Sequence, residues 1–180
     1  MLQRGQGSEI GYKALAMEIR SELEIAAPAA EVWGILTDFP RYQEWNPFIT
    51  EIKGDGVVGR PLQLLLSLPQ GRDHRLKANL LRIEENFELR WRAHLLLPGL
   101  FDGEHFLRVI ELAPQRTRFV QGENFSGVLL RFSGRTLTQV ARGFDYMNEA
   151  LKRRAEANSH HFATAEPHAA GLSAARNRVG

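Results

Sequence analysis

IAAPAAEVWGILTDFPRYQEWNPFI, residues 25–49, is the stretch that decides how this chain folds, because it holds two short helical signals between runs of strand character. Pro28 suits the first turn of a helix, and Glu31 suits the positive N-terminal end of the helix dipole. Apolar residues then recur at helical spacing within residues 32–36. We therefore predict a short helix here, followed by a second helical turn in RYQEWNPF that Pro47 ends.

Runs of alternating apolar and polar residues flank this stretch on both sides and predict half-buried strands. In MEIRSELEI, Met17 and Ile19 mark one face, which Ser21 shares. Two adjacent leucines, Leu80 and Leu81, interrupt the alternation of one later run and predict a β-bulge there. The predicted strands lie in MEIRSELEI, FITEIKG, RPLQLLLSLP, HRLKANLLRIEE, FELRWRAHLLL, EHFLRVIEL and TRFVQGENF.

A single long amphipathic helix is predicted from about Ser133 to Ala157, because apolar side chains recur there at helical spacing. The segments outside this pattern lose periodicity. We expect residues 1–16 to be a flexible lead, residues 17–157 to form one domain, and residues 158–180 to be a disordered tail.

The order of these elements predicts an α+β fold. Consecutive strands joined by short connections imply an antiparallel sheet, here of six to seven strands. The long C-terminal helix is the only element able to cover one face of that sheet. A curved sheet wrapped around one helix leaves room for a cavity between them.

Composition excludes several functional classes. The 180 residues contain no cysteine, which rules out disulfides, thiol catalysis and zinc–thiolate sites. The formal net charge is +2 and the basic residues are spread along the chain, so we expect no nucleic-acid partner. No apolar run approaches the roughly 20 residues of a membrane span, and no signal-peptide pattern occurs. We expect a cytoplasmic protein without integral membrane association.

Known cofactor and metal motifs are also missing from the sequence. There is no glycine-rich phosphate loop, no HExxH and no GxSxG. The spacing of His160, His161 and His168 matches no metal-ligand pattern. We therefore predict neither a cofactor nor a bound metal.

Five segments in this order resemble the START-like, SRPBCC superfamily, which includes polyketide cyclase/dehydrase-like proteins, lipid-transfer domains and birch-pollen-allergen-like proteins. The resemblance runs from about Met17 to Ala157. It implies the helix-grip fold, in which one fold binds sterols, lipids, hormones or polyketides and only some members are enzymes. The segments that carry it are residues 25–49, GDGVVGRPLQLLL, LRWRAHLLLPGLFDGEHFLRVIEL, GENFSGVL and GFDYMNEALKRRAE.

The leading functional hypothesis is binding of a hydrophobic or aromatic small molecule between the sheet and the long helix. Burial of apolar surface would drive binding, and one or two polar groups would set the orientation of the ligand. Alternative hypotheses are a cofactor-independent cyclase or dehydrase and a co-chaperone-like interaction module. The predicted apolar lining residues are Leu64, Leu66, Trp91, Ala93, Leu95, Phe119, Phe125, Phe144 and Met147.

His105 and Glu123 are the candidate catalytic pair, and their meaning depends on the register of one hairpin. A loop at residues 113–115 would set His105 opposite Glu123, whereas a shift of one residue would set Phe106 opposite Glu123 instead. The family resemblance favours the first register. We predict that the neighbouring acidic residues Asp102 and Glu104 form a solvated turn.

Overall fold

The computed structural model describes residues 9–13, 16–94, 102–127, 129 and 133–165. Within these described residues, two α-helices and a 3₁₀ helix accompany eight strands. In chain order these are β1 (Glu9–Lys13), β2 (Ala16–Ile25), α1 (Ala29–Thr37), the 3₁₀ helix (Phe39–Glu44), β3 (Ile49–Lys53), β4 (Pro61–Ser67), β5 (Asp73–Glu84), β6 (Glu88–His94), β7 (Asp102–Ala113), β8 (Arg116–Ser126) and α2 (Gly134–Ala165).

All eight strands belong to one antiparallel sheet with the order β1-β2-β8-β7-β6-β5-β4-β3. The sheet is curved around α2 in the helix-grip arrangement, as the sequence predicted. Strand β2 pairs with β8, which places it beside the β7–β8 hairpin in the sheet. We call the face toward α2 the inner face and the opposite face the outer face.

The ends of the chain differ from the expectation. Strand β1 lies within the segment expected to be a flexible lead, and it pairs with β2 from Glu9↔Arg20 to Lys13↔Ala16. It brings the described sheet to eight strands, compared with the six to seven that were predicted. Helix α2 continues past Ala157 to Ala165, into the segment that was expected to be a disordered tail.

The core lies between the inner face and α2. Along α2, Leu137, Phe144 and Met147 are buried at helical spacing, as the apolar stripe predicted. The ring of Phe48 packs edge-on against Phe144, with 5.7 Å between ring centroids. Helix α1 adds its buried side chains Val32, Trp33, Ile35 and Leu36 to the same core cluster.

The β7–β8 hairpin has the first of the two predicted registers, although its turn differs from the predicted one. His105 lies opposite Glu123, and Val109 lies opposite Phe119. Ala113 pairs with Arg116, so the loop has two residues rather than three, and a bulge at Leu112 absorbs the difference. The predicted bulge between β5 and β6 is also confirmed, at Leu81.

The prediction that Asp102 and Glu104 form a solvated turn is wrong. Both residues belong to β7, where Asp102 pairs with His94 and Glu104 pairs with Arg92. Their carboxylates are engaged on the outer face, where Asp102 contacts His94 Nδ1 at 2.7 Å and Glu104 accepts a hydrogen bond from Arg90. The two acidic side chains are paired across the ladder instead of being left to solvent.

Candidate functional site

His105 lies in the core between two aromatic side chains. Its ring is stacked on Trp91, with centroids 4.9 Å apart and planes 8° apart. Phe144 in α2 packs edge-on with the same ring, with 5.0 Å between ring centroids. Only 3% of His105 is exposed. Strands β6 and β7 and helix α2 therefore fix the orientation of this imidazole.

Glu123 is the charged neighbour of His105. Its Oε2 lies 3.7 Å from His105 Nδ1, which is an ion-pair distance but longer than an ordinary hydrogen bond. Gly103 makes room for the carboxylate, because a Cβ at that position would lie 2.2 Å from Glu123 Oε1. The side chain of Glu123 is 16% exposed, so the pair runs from the protein surface into the core.

The other ring nitrogen of His105, Nε2, is buried and has no hydrogen-bond partner. A buried polar atom without a partner costs roughly 1–3 kcal/mol. Buried polar groups in folded proteins are almost always satisfied by protein, water or ligand. The position of Nε2 therefore marks a place where a polar group of a bound molecule would be favourable.

The predicted apolar lining residues surround this histidine where the structure describes them. Trp91, Phe119, Phe125, Phe144, Met147 and Leu64 are each at most 4% exposed. Leu66 and Ala93 are partly buried and pack against the same core. Leu95 lies outside the described residues. The lining residues are thus brought together, and they are closely covered by their neighbours.

A network of hydrogen-bonded polar side chains crosses the same core between β2, β8 and α2. Asn148 Nδ2 donates to Ser21 Oγ at 2.9 Å, and Ser21 Oγ donates to Asp145 Oδ1 at 3.0 Å. Gln121 Nε2 donates to Phe144 O at 3.0 Å and also to Asn148 Oδ1. Gln121 is fully buried, and its Oε1 has no partner.

Gln121, Asn148 and Ser21 are not among the site residues predicted from the sequence. The signal was present in the alternation, because Gln121 follows Phe119 and precedes Glu123 on the same face of β8. Asn148 likewise falls in the apolar stripe of α2. A polar residue at a position whose neighbours are all buried is the pattern that would have identified them.

A separate cleft of about 220 Å³ lies outside this core, where α1 and the 3₁₀ helix meet α2. Its polar walls are largely paired with one another, as where Asn158 Nδ2 donates to Glu31 Oε1 at 2.6 Å. None of the predicted lining residues contributes to it. The cleft is lined by Glu31, Gly34, Ile35, Asp38, Arg41, Trp45, Arg154 and Asn158.

On the outer face, Glu88 is the centre of an ion cluster formed with Arg82, Arg90 and Arg108. Arg108 Nε lies 2.6 Å from Glu88 Oε2, and Arg90 Nε lies 3.0 Å from Oε1. Burial alone would raise the pKa of Glu88, but hydrogen bonds from Arg90 and Arg108 outweigh it and lower the pKa to about 2. This cluster faces away from His105 and Gln121.

Two further properties concern the described part of the chain. None of its helices is long and apolar enough to cross a membrane. Within residues 16–94, 102–127 and 133–159, no three His, Asp or Glu side chains group closely enough to hold a metal ion. The side chains of His160, His161 and His168 lie outside this description.

Three solved structures illustrate what the fold is similar to. The Zhui aromatase/cyclase from Streptomyces sp. R1128 has a TM-score of 0.66 and 16% identity, over 78% of this chain and 94% of that one. Norcoclaurine synthase from Thalictrum flavum, in complex with dopamine and hydroxybenzaldehyde, has a TM-score of 0.59 and 16% identity over 85% and 94%. A START superfamily protein from Mycobacterium smegmatis has a TM-score of 0.54 and 18% identity over 81% and 98%.

At these identities the likeness shows the fold. No curated protein sequence matches the chain. The family model described as polyketide cyclase / dehydrase and lipid transport matches residues 16–156, from the start of β2 into the last turns of α2. That match covers most of the chain and every residue of the His105, Glu123 and Gln121 region, and the chain therefore belongs to the polyketide cyclase/dehydrase and lipid transport family.

Proposed function

We propose that this protein binds a hydrophobic or aromatic small molecule between the inner face of the sheet and α2. The observation that carries the proposal is His105, an imidazole enclosed by Trp91 and Phe144 with its Nε2 left without a partner. A core selected for stability alone would favour an apolar side chain at this position. A ligand that forms a hydrogen bond with Nε2 would offset the free-energy cost of burying this nitrogen.

The aromatic walls of the site suit a planar apolar ligand. Trp91 and Phe144 offer ring faces and edges, and each Å² of apolar ligand surface removed from water contributes roughly 25 cal/mol. The norcoclaurine synthase structure holds two aromatic molecules, dopamine and hydroxybenzaldehyde, in a protein of the same fold. That precedent supports an aromatic ligand class here.

The test is a titration with the neutral fluorescent probe N-phenyl-1-naphthylamine. We expect saturable binding with one site per chain, weakened about tenfold in His105→Ala because a polar contact and part of the stacked wall are lost. His74→Ala is the matched control, since His74 is exposed on β5. Absence of saturable binding to the wild-type protein would refute the proposal.

A second candidate function is favoured by the 3.7 Å contact between His105 and Glu123. A carboxylate beside Nδ1 orients the imidazole and accepts the Nδ1 hydrogen, which leaves the lone pair of Nε2 to accept a proton from a substrate. The protein would then be a cyclase or dehydrase acting on a polyketide-like substrate without a cofactor. In that case Glu123→Gln abolishes turnover and leaves probe binding largely intact, whereas a binding protein shows no turnover to lose.

A further inference from the structure

The hydrogen bonds around Gln121 all run in one direction. A carboxylate oxygen only accepts, so the hydroxyl of Ser21 must donate its single hydrogen to Asp145. Ser21 Oγ can then only accept from Asn148, which must present its NH₂ group. The carboxylate of Asp145 therefore sets the orientation of the Asn148 amide, which is two hydrogen bonds away.

The same constraint passes on to Gln121. Because Asn148 turns its NH₂ toward Ser21, its Oδ1 faces Gln121 and needs a donor there. The carbonyl oxygen of Phe144 needs a donor as well, so both hydrogens of Gln121 Nε2 are used. Gln121 Oε1 lies at the end of this series of hydrogen bonds, and it is a fully buried acceptor with no partner.

His105 presents a second acceptor nearby. Its Nδ1 faces the carboxylate of Glu123, which favours the proton on that nitrogen and leaves Nε2 of the neutral ring with a lone pair. His105 and Gln121 lie on neighbouring strands, and both contact Phe144, His105 through the ring and Gln121 through the backbone oxygen. Two buried acceptors thus flank one residue of α2.

We propose that Gln121 is a specificity-determining residue, and that the site selects apolar molecules that donate a hydrogen bond from a hydroxyl group. The inference rests on the proposed binding function. Ketones and carboxylates offer only acceptors and would leave Gln121 Oε1 and His105 Nε2 unsatisfied, with added repulsion for the anion. Each hydroxyl group of an alcohol or phenol supplies one hydrogen and so satisfies one of these two acceptors. Aligned hydrogen bonds also polarise one another, so the series of hydrogen bonds that begins at Asp145 strengthens Gln121 Oε1 as an acceptor.

The experiment compares ligands of one shape in the wild-type protein. Displacement of N-phenyl-1-naphthylamine is measured with 2-naphthol, naphthalene, 2-methoxynaphthalene and 2-naphthoate. We expect 2-naphthol to bind about tenfold more tightly than both naphthalene and its methyl ether, and 2-naphthoate to bind most weakly. Naphthalene separates loss of the donor from the bulk of the added methyl group.

Two variants locate the preference. In Gln121→Met, a near-isosteric apolar change, we expect the advantage of 2-naphthol over naphthalene to fall to about twofold or less. In Ser21→Ala the link from Asp145 to the Asn148 amide is lost, while Phe144 O still holds the NH₂ group of Gln121, so the preference for 2-naphthol should weaken without reversing. Asn124→Ala, an exposed position on the same strand, is the control that should leave the ligand order unchanged. Circular dichroism confirms that each variant is folded.

The outcomes separate the two proposals. If the fluorescent probe and all four ligands fail to bind the wild-type protein, both the binding function and this inference are wrong. If the ligands bind but 2-naphthol and 2-methoxynaphthalene have equal affinity, only the inference about hydroxyl selection is wrong. The same holds if a folded Gln121→Met protein keeps the full preference. The wild-type series alone can overturn the inference, so the conclusion does not depend on the variants folding.

Discussion

Asn46 illustrates how one side chain directs the path of the backbone. Its Oδ1 accepts hydrogen bonds from the backbone N–H groups of Phe48 and Ile49, both at 2.9 Å. Phe48 and Ile49 are 2% and 1% exposed, so neither N–H group could turn to water instead. These two bonds join the end of the 3₁₀ helix to the start of β3 and satisfy backbone donors around Pro47.

We expect Asn46→Ala to lower the free energy of unfolding by about 2–4 kcal/mol, because two buried backbone donors lose their acceptor. Urea denaturation followed by circular dichroism measures the change. Asn124→Ala is the matched control, since Asn124 is exposed and should change stability by less than about 0.5 kcal/mol. Equal stability of the two variants would show that Asn46 does not hold this connection.

Glu88 carries a charge whose effect depends on pH. Its pKa in the folded protein is about 2, below the ordinary value of 4.5, because Arg90 and Arg108 donate hydrogen bonds to it despite its burial. A carboxyl group with a lowered pKa in the folded state contributes its full stabilisation above pH 4.5. That contribution is lost as the pH falls from 4.5 toward 2, because the unfolded chain takes up the proton first.

We expect this one group to account for about 3 kcal/mol of the stability lost between pH 4.5 and 2. Glu88→Gln should therefore be less stable than the wild type at pH 7 and should lose less stability on acidification. Urea unfolding at pH 7, 4 and 3 measures both effects. Glu85→Gln, exposed on the adjoining turn, should keep the wild-type profile. Parallel pH profiles for wild type and Glu88→Gln would contradict the assignment.

Between elements, α2 approaches the segment that leads into β3 closely at Gly143. A Cβ built at that position would lie 2.2 Å from Cδ2 of Phe48, whose ring packs on Phe144. Phe48 is itself 2% exposed and has little room to move. The glycine therefore sets the distance between α2 and the segment that leads into β3, although glycine is unfavourable within a helix.

We expect Gly143→Ala to destabilise the protein by about 1–3 kcal/mol through overpacking, even though alanine favours the helix by about 1 kcal/mol. The control is the same substitution in α1, where a Cβ at the exposed Gly34 meets nothing within 4 Å. Gly34→Ala should stabilise the protein by up to about 1 kcal/mol. Chemical denaturation of both variants tests the prediction, and stabilisation of both would show that Phe48 yields easily.

At the scale of the whole molecule, the interior proposed to hold the ligand is closely covered. Phe119, Phe144 and Met147 have no exposed surface, and Trp91 and His105 are each 3% exposed. A ligand can reach Nε2 of His105 only if the parts of the molecule around it first move apart. Such an opening costs free energy and places a conformational step before binding.

We expect the rate of binding of N-phenyl-1-naphthylamine, measured by stopped-flow fluorescence, to level off as the probe concentration rises. The plateau is the rate of opening. This rate should fall when sucrose is added, because sucrose favours compact states. An observed rate that keeps rising linearly with probe concentration, with a second-order rate constant of about 10⁶ M⁻¹s⁻¹ or more, would indicate an interior that is already open.

Local patterns in the sequence determined the type and order of the main elements. Strand alternation from Met17 onward and the apolar stripe of α2 depend on neighbours a few residues away, so they could be read without the tertiary structure. The helix-grip arrangement follows from that order together with the family resemblance. Strand β1 was missed because five residues with a central glycine, Glu9–Lys13, carry too little alternation to identify a strand.

Some polar positions were misjudged because their partners are distant in the sequence. Asp102 and Glu104 follow Gly99 and have the composition of a turn, yet cross-strand pairing with His94 and Arg92 places them within β7. The opposition of His105 and Glu123 was predicted in one of two registers. The observed pairing arises through a two-residue turn and a bulge at Leu112, a combination that the hairpin sequence does not specify by itself.

The sequence by itself determined the fold class and the alternating faces of the main strands, and it identified His105 and Glu123 as candidates whose facing depended on one of two registers. Only the tertiary structure decided what those residues meet: the stacking of His105 on Trp91, the free Nε2, and the link from Asp145 through Ser21 and Asn148 to Gln121. Periodicity along a chain shows which side of an element is buried. The direction of a hydrogen bond depends on groups that three separate elements bring together, β2, β8 and α2, and no local pattern contains that information.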